Sequence, residues 1–135
     1  MTSSNRLREF FGEIVIEALR TAPTITRHEV VYDESAAEDT IEGRLVRGGS
    51  PLSPQQVEEL RSALLDDATF VWDHATRHRD FPHHVFEVLG EHGSCAVFVD
   101  IRGLKVRVAH GGRHDVRDLA EGSAGLASLA RLARS

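Results

Sequence analysis

The stretch "HHVFEVLGEHGSCAVFVDIRGLKVRVA", residues 83–109, decides the fold. It holds three short β-prone runs, "HHVFEVL", "CAVFVDI" and "LKVRVA", broken by "GEHGS" and "RG". Runs of this length separated by glycine-bearing turns predict consecutive antiparallel hairpins. The middle run is apolar on nearly both faces. Cys95, Val97, Val99 and Ile101 fall on one side, Ala96 and Phe98 on the other. A strand buried on both faces belongs in the centre of a sheet. "LKVRVA" alternates instead, which predicts an outer strand with Lys105 and Arg107 facing water.

Working outward, "PQQVEELRSALL" carries Val57, Leu60, Leu64 and Ala68 at helical spacing. Ser53, Pro54 and Gln56 supply a capping box with proline in the first turn, so a helix begins at 54 and reaches "DDAT". A second helical piece is expected from Phe70 to Arg79, stopped by Pro82. Towards the N-terminus, "TITRHEVVYDE" and "TIEGRLVRGG" each alternate as one strand, joined by the polar turn "ESAAED". Leu7, Phe10, Phe11, Ile14, Val15, Ala18 and Leu19 form the apolar face of an opening helix that Pro23 closes. At the far end Leu126, Leu129 and Ala130 resume a helical stripe after the interruptions at Gly122 and Gly125. The expected order is α-β-β-α-β-β-β-α: an α+β protein whose antiparallel sheet of about five strands carries its helices on one face. The 135 residues suit one globular domain. Residues 111–135 are read as a C-terminal helix, either mobile or forming a homodimer.

Composition narrows the function. No run of 18 apolar residues is present, so no membrane helix is expected. The N-terminus lacks a secretion signal, and the single cysteine, Cys95, excludes an intrachain disulfide and a cysteine-based zinc site. A cytoplasmic location fits best. The net charge of −5 is uneven: residues 1–68 hold 7 basic and 13 acidic side chains, residues 69–135 hold 9 and 8. An acidic half argues against a dedicated DNA-binding protein and suits a basic protein partner.

The segment "LRSALLDDATFVWDHATRHRDFPHHVFEV" and the hairpin after it resemble a loose class of small, uncharacterised bacterial proteins. In these a helix ending Leu-Leu-x-Asp-x-x-(Tyr/Phe) joins a sheet. The resemblance spans about residues 57–110 and implies architecture, with no function attached. Members often carry Cys near where His78 stands and more Cys in the later hairpin. This chain keeps His78 and has Cys95 alone.

Two residue groups bear on chemistry. "HATRHRDFPHH", residues 74–84, places four of the chain's 8 histidines together. On a helix His74 and His78 would share a face at i, i+4, and His83 or His84 could add a third zinc or nickel ligand. The base that a zinc protease carries after its first histidine is missing, since Ala75 stands there. His83 and His84 are adjacent and point apart if extended, so a surface cluster without catalytic metal is the expectation. The second group is a basic ribbon, Arg102, Lys105, Arg107, Arg113 and Arg117, which could contact a partner. It has no stacking aromatics, so nucleic acid is the weakest option. "HGSC" and "HGGRHD" match no nucleophile elbow or phosphate loop. With no catalytic motif and no cofactor signature, the sequence leaves the enzyme question open. It favours a small protein-binding or accessory module of the immunity, chaperone or subunit kind. A histidine-based metal-binding protein or metal-dependent enzyme is the alternative.

Overall fold

A computed structural model of the protein describes residues 4–73, 80–91 and 93–134. Its elements run α1 (Asn5–Phe11), α2 (Glu13–Thr21), β1 (Ile25–Val30), β2 (Asp39–Ile41), β3 (Arg44–Pro51), α3 (Pro54–Leu64), β4 (Phe70–Val71), β5 (His84–Gly90), β6 (Gly93–Asp100), β7 (Lys105–His110), β8 (Arg113–Leu119) and α4 (Ala124–Arg134). The strands form one antiparallel sheet in the order β2-β3-β1-β5-β6-β7-β8-β4. The fold is α+β as expected, but the sheet has eight strands, not about five.

The additional strands have local causes. "TIEGRLVRGG" is two strands, because the chain reverses at Glu42–Gly43 and pairs Ile41 with Arg44. Phe70 and Val71 extend to pair with Leu119 and Asp118, where a helix was expected. The rest of that expected helix, residues 74–79, lies outside the described residues. Gly111 and Gly112, at φ +57° and +84°, make the two-residue turn that suits a twisted hairpin. That turn sends residues 113–119 back along β7 as β8. The "HGGRHD" glycines therefore close a hairpin and do not lead into the final helix. The opening helix is also interrupted. Gly12 takes φ +82° and ψ 156°, which separates α1 from α2.

β5, β6 and β7 are the strands of the deciding stretch, and β6 lies inside the sheet, paired on both edges. Phe86, Val88, Cys95, Val97, Val99, Val106 and Val108 face the helices and join Phe10, Phe11, Leu19, Leu60, Leu64, Leu129 and Leu132 in the main core. Val97 and Val99 are fully buried there. The capping box at Ser53 is present as read. Two arginines tie helix ends to the rest. Arg61 of α3 donates to the Leu19 and Ala22 carbonyls that end α2, and Arg27 of β1 donates to the Leu132 carbonyl near the end of α4. Each places a cation where the helix dipole is negative.

Among the described residues, the opposite face carries no helix. Its smaller apolar cluster comprises Val30, Ile41, Val46, Val85, Ala96, Phe98 and Ala109. Long polar side chains meet there, and this corrects one expectation. Lys105 is only 6% exposed, and Arg107 is half-buried. The register itself is as expected, because Val106 and Val108 face the core. Lys105 and Arg107 point to the helix-free side, where carboxylates cover them.

Candidate functional site

An apolar recess lies where α1 gives way to α2 beside the β7–β8 hairpin. It has a volume of about 330 Å³ and is lined by Phe11, Gly12, Glu13, Ile14, Val15, Val108, His110 and Arg113. Local sequence builds it. Gly12 breaks the helix, so the apolar stripe turns at Phe11 and resumes at Val15, leaving the Ile14 side chain on the rim. Ile14 is 45% exposed, one of four large hydrophobic residues left open to solvent among those described. It also borders a second depression with Glu17, Ala18, Gly90, Glu91 and Cys95. Glu13, Glu17 and Glu91 thus line the two depressions that meet at Ile14.

The hairpin side of the recess is basic. Arg113 donates from Nη2 to the Glu9 carbonyl at 2.7 Å. Its Nη1 lies 2.8 Å from the point where a Cβ on Gly12 would sit, so the guanidinium rests over the helix break because residue 12 has no side chain. No carboxylate pairs with Arg113 among the described residues. Glu13, the acid on the same recess, is 3.4 Å from Arg8 instead. His110 Nδ1 is 3.3 Å from the Ser94 carbonyl oxygen.

A larger groove of about 570 Å³, lined by Pro23, Pro51, Pro54, Glu58 and Arg61 among others, is less suited to a ligand. Its central cation, Arg61, is committed to the α2 carbonyls and to Glu58 at 2.6 Å.

The basic ribbon does not form one surface. Lys105 pairs with Asp118 at 2.7 Å on the helix-free face. Arg107 binds the Asp80 carboxylate through two nitrogens, Nη2 at 2.7 Å and Nε at 3.0 Å, and Arg44 approaches the same group at 4.0 Å. Arg117 lies on the helix side, 5.8 Å over the Phe10 ring and 3.4 Å from Asp115. Arg113 is at the recess, and Arg102 is exposed in the β6–β7 turn. Of the five, Arg113 alone lines an apolar cavity. The helix break at Gly12 was the sequence signal for that cavity, hidden inside a continuous apolar periodicity.

The histidine group is only partly placed. His74 and His78 lie outside the described residues. His83 is exposed, with its ring edge-on to Tyr32 at 6.3 Å between centroids. His84 begins β5 half-buried, and burial, with the charge of Arg27 nearby, holds its pKa below the usual histidine value. Among the described residues, no group of three or more His, Cys, Asp or Glu side chains could hold a metal ion. Nor is any helix there long and apolar enough to cross a membrane. Cys95 is buried in the core face of β6, and burial pushes its thiol pKa up to about 11. A thiol so seldom ionised is a poor nucleophile.

Asp80 is the most constrained acid on the helix-free face. Burial pushes its pKa up, but the hydrogen bonds and charge of Arg107, with Arg44 behind, outweigh burial and hold it below the ordinary value. Asp100 nearby accepts from the Phe81 and Gly103 amides at 3.0 and 2.8 Å. These groups fasten the chain entering β5 to the sheet. Each has a structural partner, and together they offer no unpaired nucleophile or base.

Comparison of the chain with protein-family models, with curated proteins and with solved structures finds no match.

Proposed function

We propose that the protein is a protein-binding module that takes apolar side chains of a partner into the recess between α2 and the β7–β8 hairpin. The observation that carries this reading is the apolar cavity of about 330 Å³ with Ile14 left 45% exposed on its rim. Concave apolar sites with a few polar groups at the edge are where ligands and partner anchors bind. The acids Glu13, Glu17 and Glu91 around Ile14 suit a partner segment whose apolar residues are flanked by Lys or Arg. They belong to the acidic character of the N-terminal half and to its boundary with the hairpins. A buried, unreactive thiol suits the reducing cytoplasm, which we assign as the compartment.

A photo-crosslinking residue placed at position 14, with one at Arg102 as control, tests the reading in the native cell. A specific adduct from position 14, absent at 102 and weakened by Glu13→Lys with Glu17→Lys, is the expected result. Identical adducts from both positions, or none from position 14, would remove the recess as a docking site.

A further inference from the structure

We infer that the recess receives the C-terminal end of a partner polypeptide, with apolar terminal side chains in the cavity and the terminal carboxylate on Arg113. This rests on the protein-binding reading above and adds the chemistry of the occupant.

Charge is sorted across the opening. The α2 side carries Glu13, Glu17 and Glu91, and the hairpin side carries Arg113. A segment with cations along its length and an anion at its tip matches both sides; an internal basic segment would leave Arg113 facing unpaired apolar surface. Arg113 is equipped for an anion. Several arginines of the described chain have a carboxylate as partner, including Arg8, Arg47, Arg107 and Arg131, whereas Arg113, like Arg27, holds a carbonyl in the last turn of a helix. Arg113 has one carbonyl, bound through Nη2, which fixes the guanidinium over Gly12 and leaves donors at the cavity mouth. The guanidinium fork matches a carboxylate in two bonds. The volume also fits: about 330 Å³ holds one or two aliphatic side chains and leaves space for their backbone. Gly12 matters to the geometry, since any side chain there would displace the guanidinium.

The test uses the full chain and two fluorescent peptides of sequence Gly-Lys-Gly-Lys-Leu-Leu, one ending in a free carboxylate and one in an amide. Binding is followed by polarisation and by amide chemical shifts. The free acid should bind at least about tenfold more tightly, the scale of one charge-assisted bidentate contact. Shifts should centre on Ile14, Val108 and Arg113. Arg113→Gln should bring the two peptides to equal affinity while leaving thermal stability near that of the parent. Arg113→Lys should restore part of the preference. Equal affinity of acid and amide in the parent, or a preference that survives Arg113→Gln, overturns the carboxylate assignment. If both peptides then bind equally and Ile14→Asp abolishes both, the docking reading stands without it. If neither peptide perturbs Ile14 or Val108 at millimolar concentration, the C-terminal assignment fails, and the crosslink at position 14 decides the docking reading separately.

Discussion

At the scale of the residue, the Asp80–Arg107 pair shows why a strand that alternates charged and apolar residues need not face water. Lys and Arg at alternate positions of "LKVRVA" predict an exposed face, yet Lys105 meets Asp118 and Arg107 meets Asp80. Asp118 is a cross-strand neighbour, recoverable once β8 is known. Asp80 arrives from a connection with no periodicity, so no local pattern could announce it. Replacing Asp80 with Ala leaves the half-buried Arg107 without its partner, and the expected loss is about 2 kcal/mol in urea unfolding, below that of a fully buried pair. The double variant Asp80→Leu with Arg107→Met should recover most of that loss, because neither charge is then stranded. A double variant no more stable than Asp80→Ala would mean that the pair does more than balance itself. The pH dependence has a definite sign. The folded Asp80 carboxyl is held below its unfolded value of 3.8, so its stabilisation is complete above that value and drains as pH falls through the folded one. Asp80→Ala should therefore flatten the acid limb of the stability profile. Cys95 gives a second test at this scale. With its thiol pushed up to about 11 inside the core, alkylation at pH 8 should be slow in the folded protein and fast in denaturant. Rapid native labelling would show that β6 opens locally.

At the scale of the element, what could be read from sequence was set by how far each signal reaches along the chain. The capping box of α3 and the three runs of residues 83–109 are local signals, and both appear where expected. β4 is only two residues long and exists through its pairing with β8, so "ATFV" gave no strand period of its own. β8 reads "RHDVRDL", polar enough to pass for loop, and owes its form to the Gly111–Gly112 turn and the ladder with β7. The recess was illegible for a related reason: the apolar stripe of α1 and α2 is continuous in sequence, and only backbone geometry at Gly12 divides it. That geometry has a measurable cost for other residues. At φ +82° and ψ 156° alanine is strained, and its Cβ would meet Arg113, so Gly12→Ala should destabilise the protein by about 1–3 kcal/mol. Gly125 offers a contrast without unusual backbone. It sits in the first turn of α4 against the buried Thr69, whose hydroxyl donates to the Ala63 carbonyl at 2.6 Å. A methyl group there must push α4 away from Thr69. Gly125→Ala should cost about 1–3 kcal/mol by overpacking, despite alanine's better helix propensity. A gain in midpoint temperature would show that α4 is free to shift.

At the scale of the whole molecule, the sheet has two outer edges, and short strands cover only part of each. β2 pairs with residues 44–46 of β3, and β4 pairs with residues 118–119 of β8. The remaining lengths would be templates for a strand from another chain. Side chains occupy them instead. On β8 the amide of Val116 donates to Asp115 Oδ1 at 2.9 Å, and its carbonyl accepts from Arg117 Nη1 at 3.0 Å. Both main-chain groups of Val116 are thus taken by its two neighbours. On β3 the Gly48 amide donates to Glu38 Oε1 at 2.6 Å, and Pro51 has no amide hydrogen to offer. Charged side chains on an edge are a recognised defence against edge-to-edge association. With Val116 and the Gly48 amide engaged in this way, strand addition is a poorer route for a partner than the recess beside α2. Asp115→Ala tests the defence at the cost of the ion pair with Arg117, whereas Arg117→Ala also removes the guanidinium packed on Phe10. Light scattering after size exclusion should show the Asp115→Ala mass rising with concentration above that of the parent chain. Glu38→Ala should do less, because Pro51 still interrupts the β3 edge. An unchanged mass for Asp115→Ala across the accessible concentrations would mean that the bonds to Val116 are incidental, and strand addition at β8 would then compete with the recess as a mode of binding.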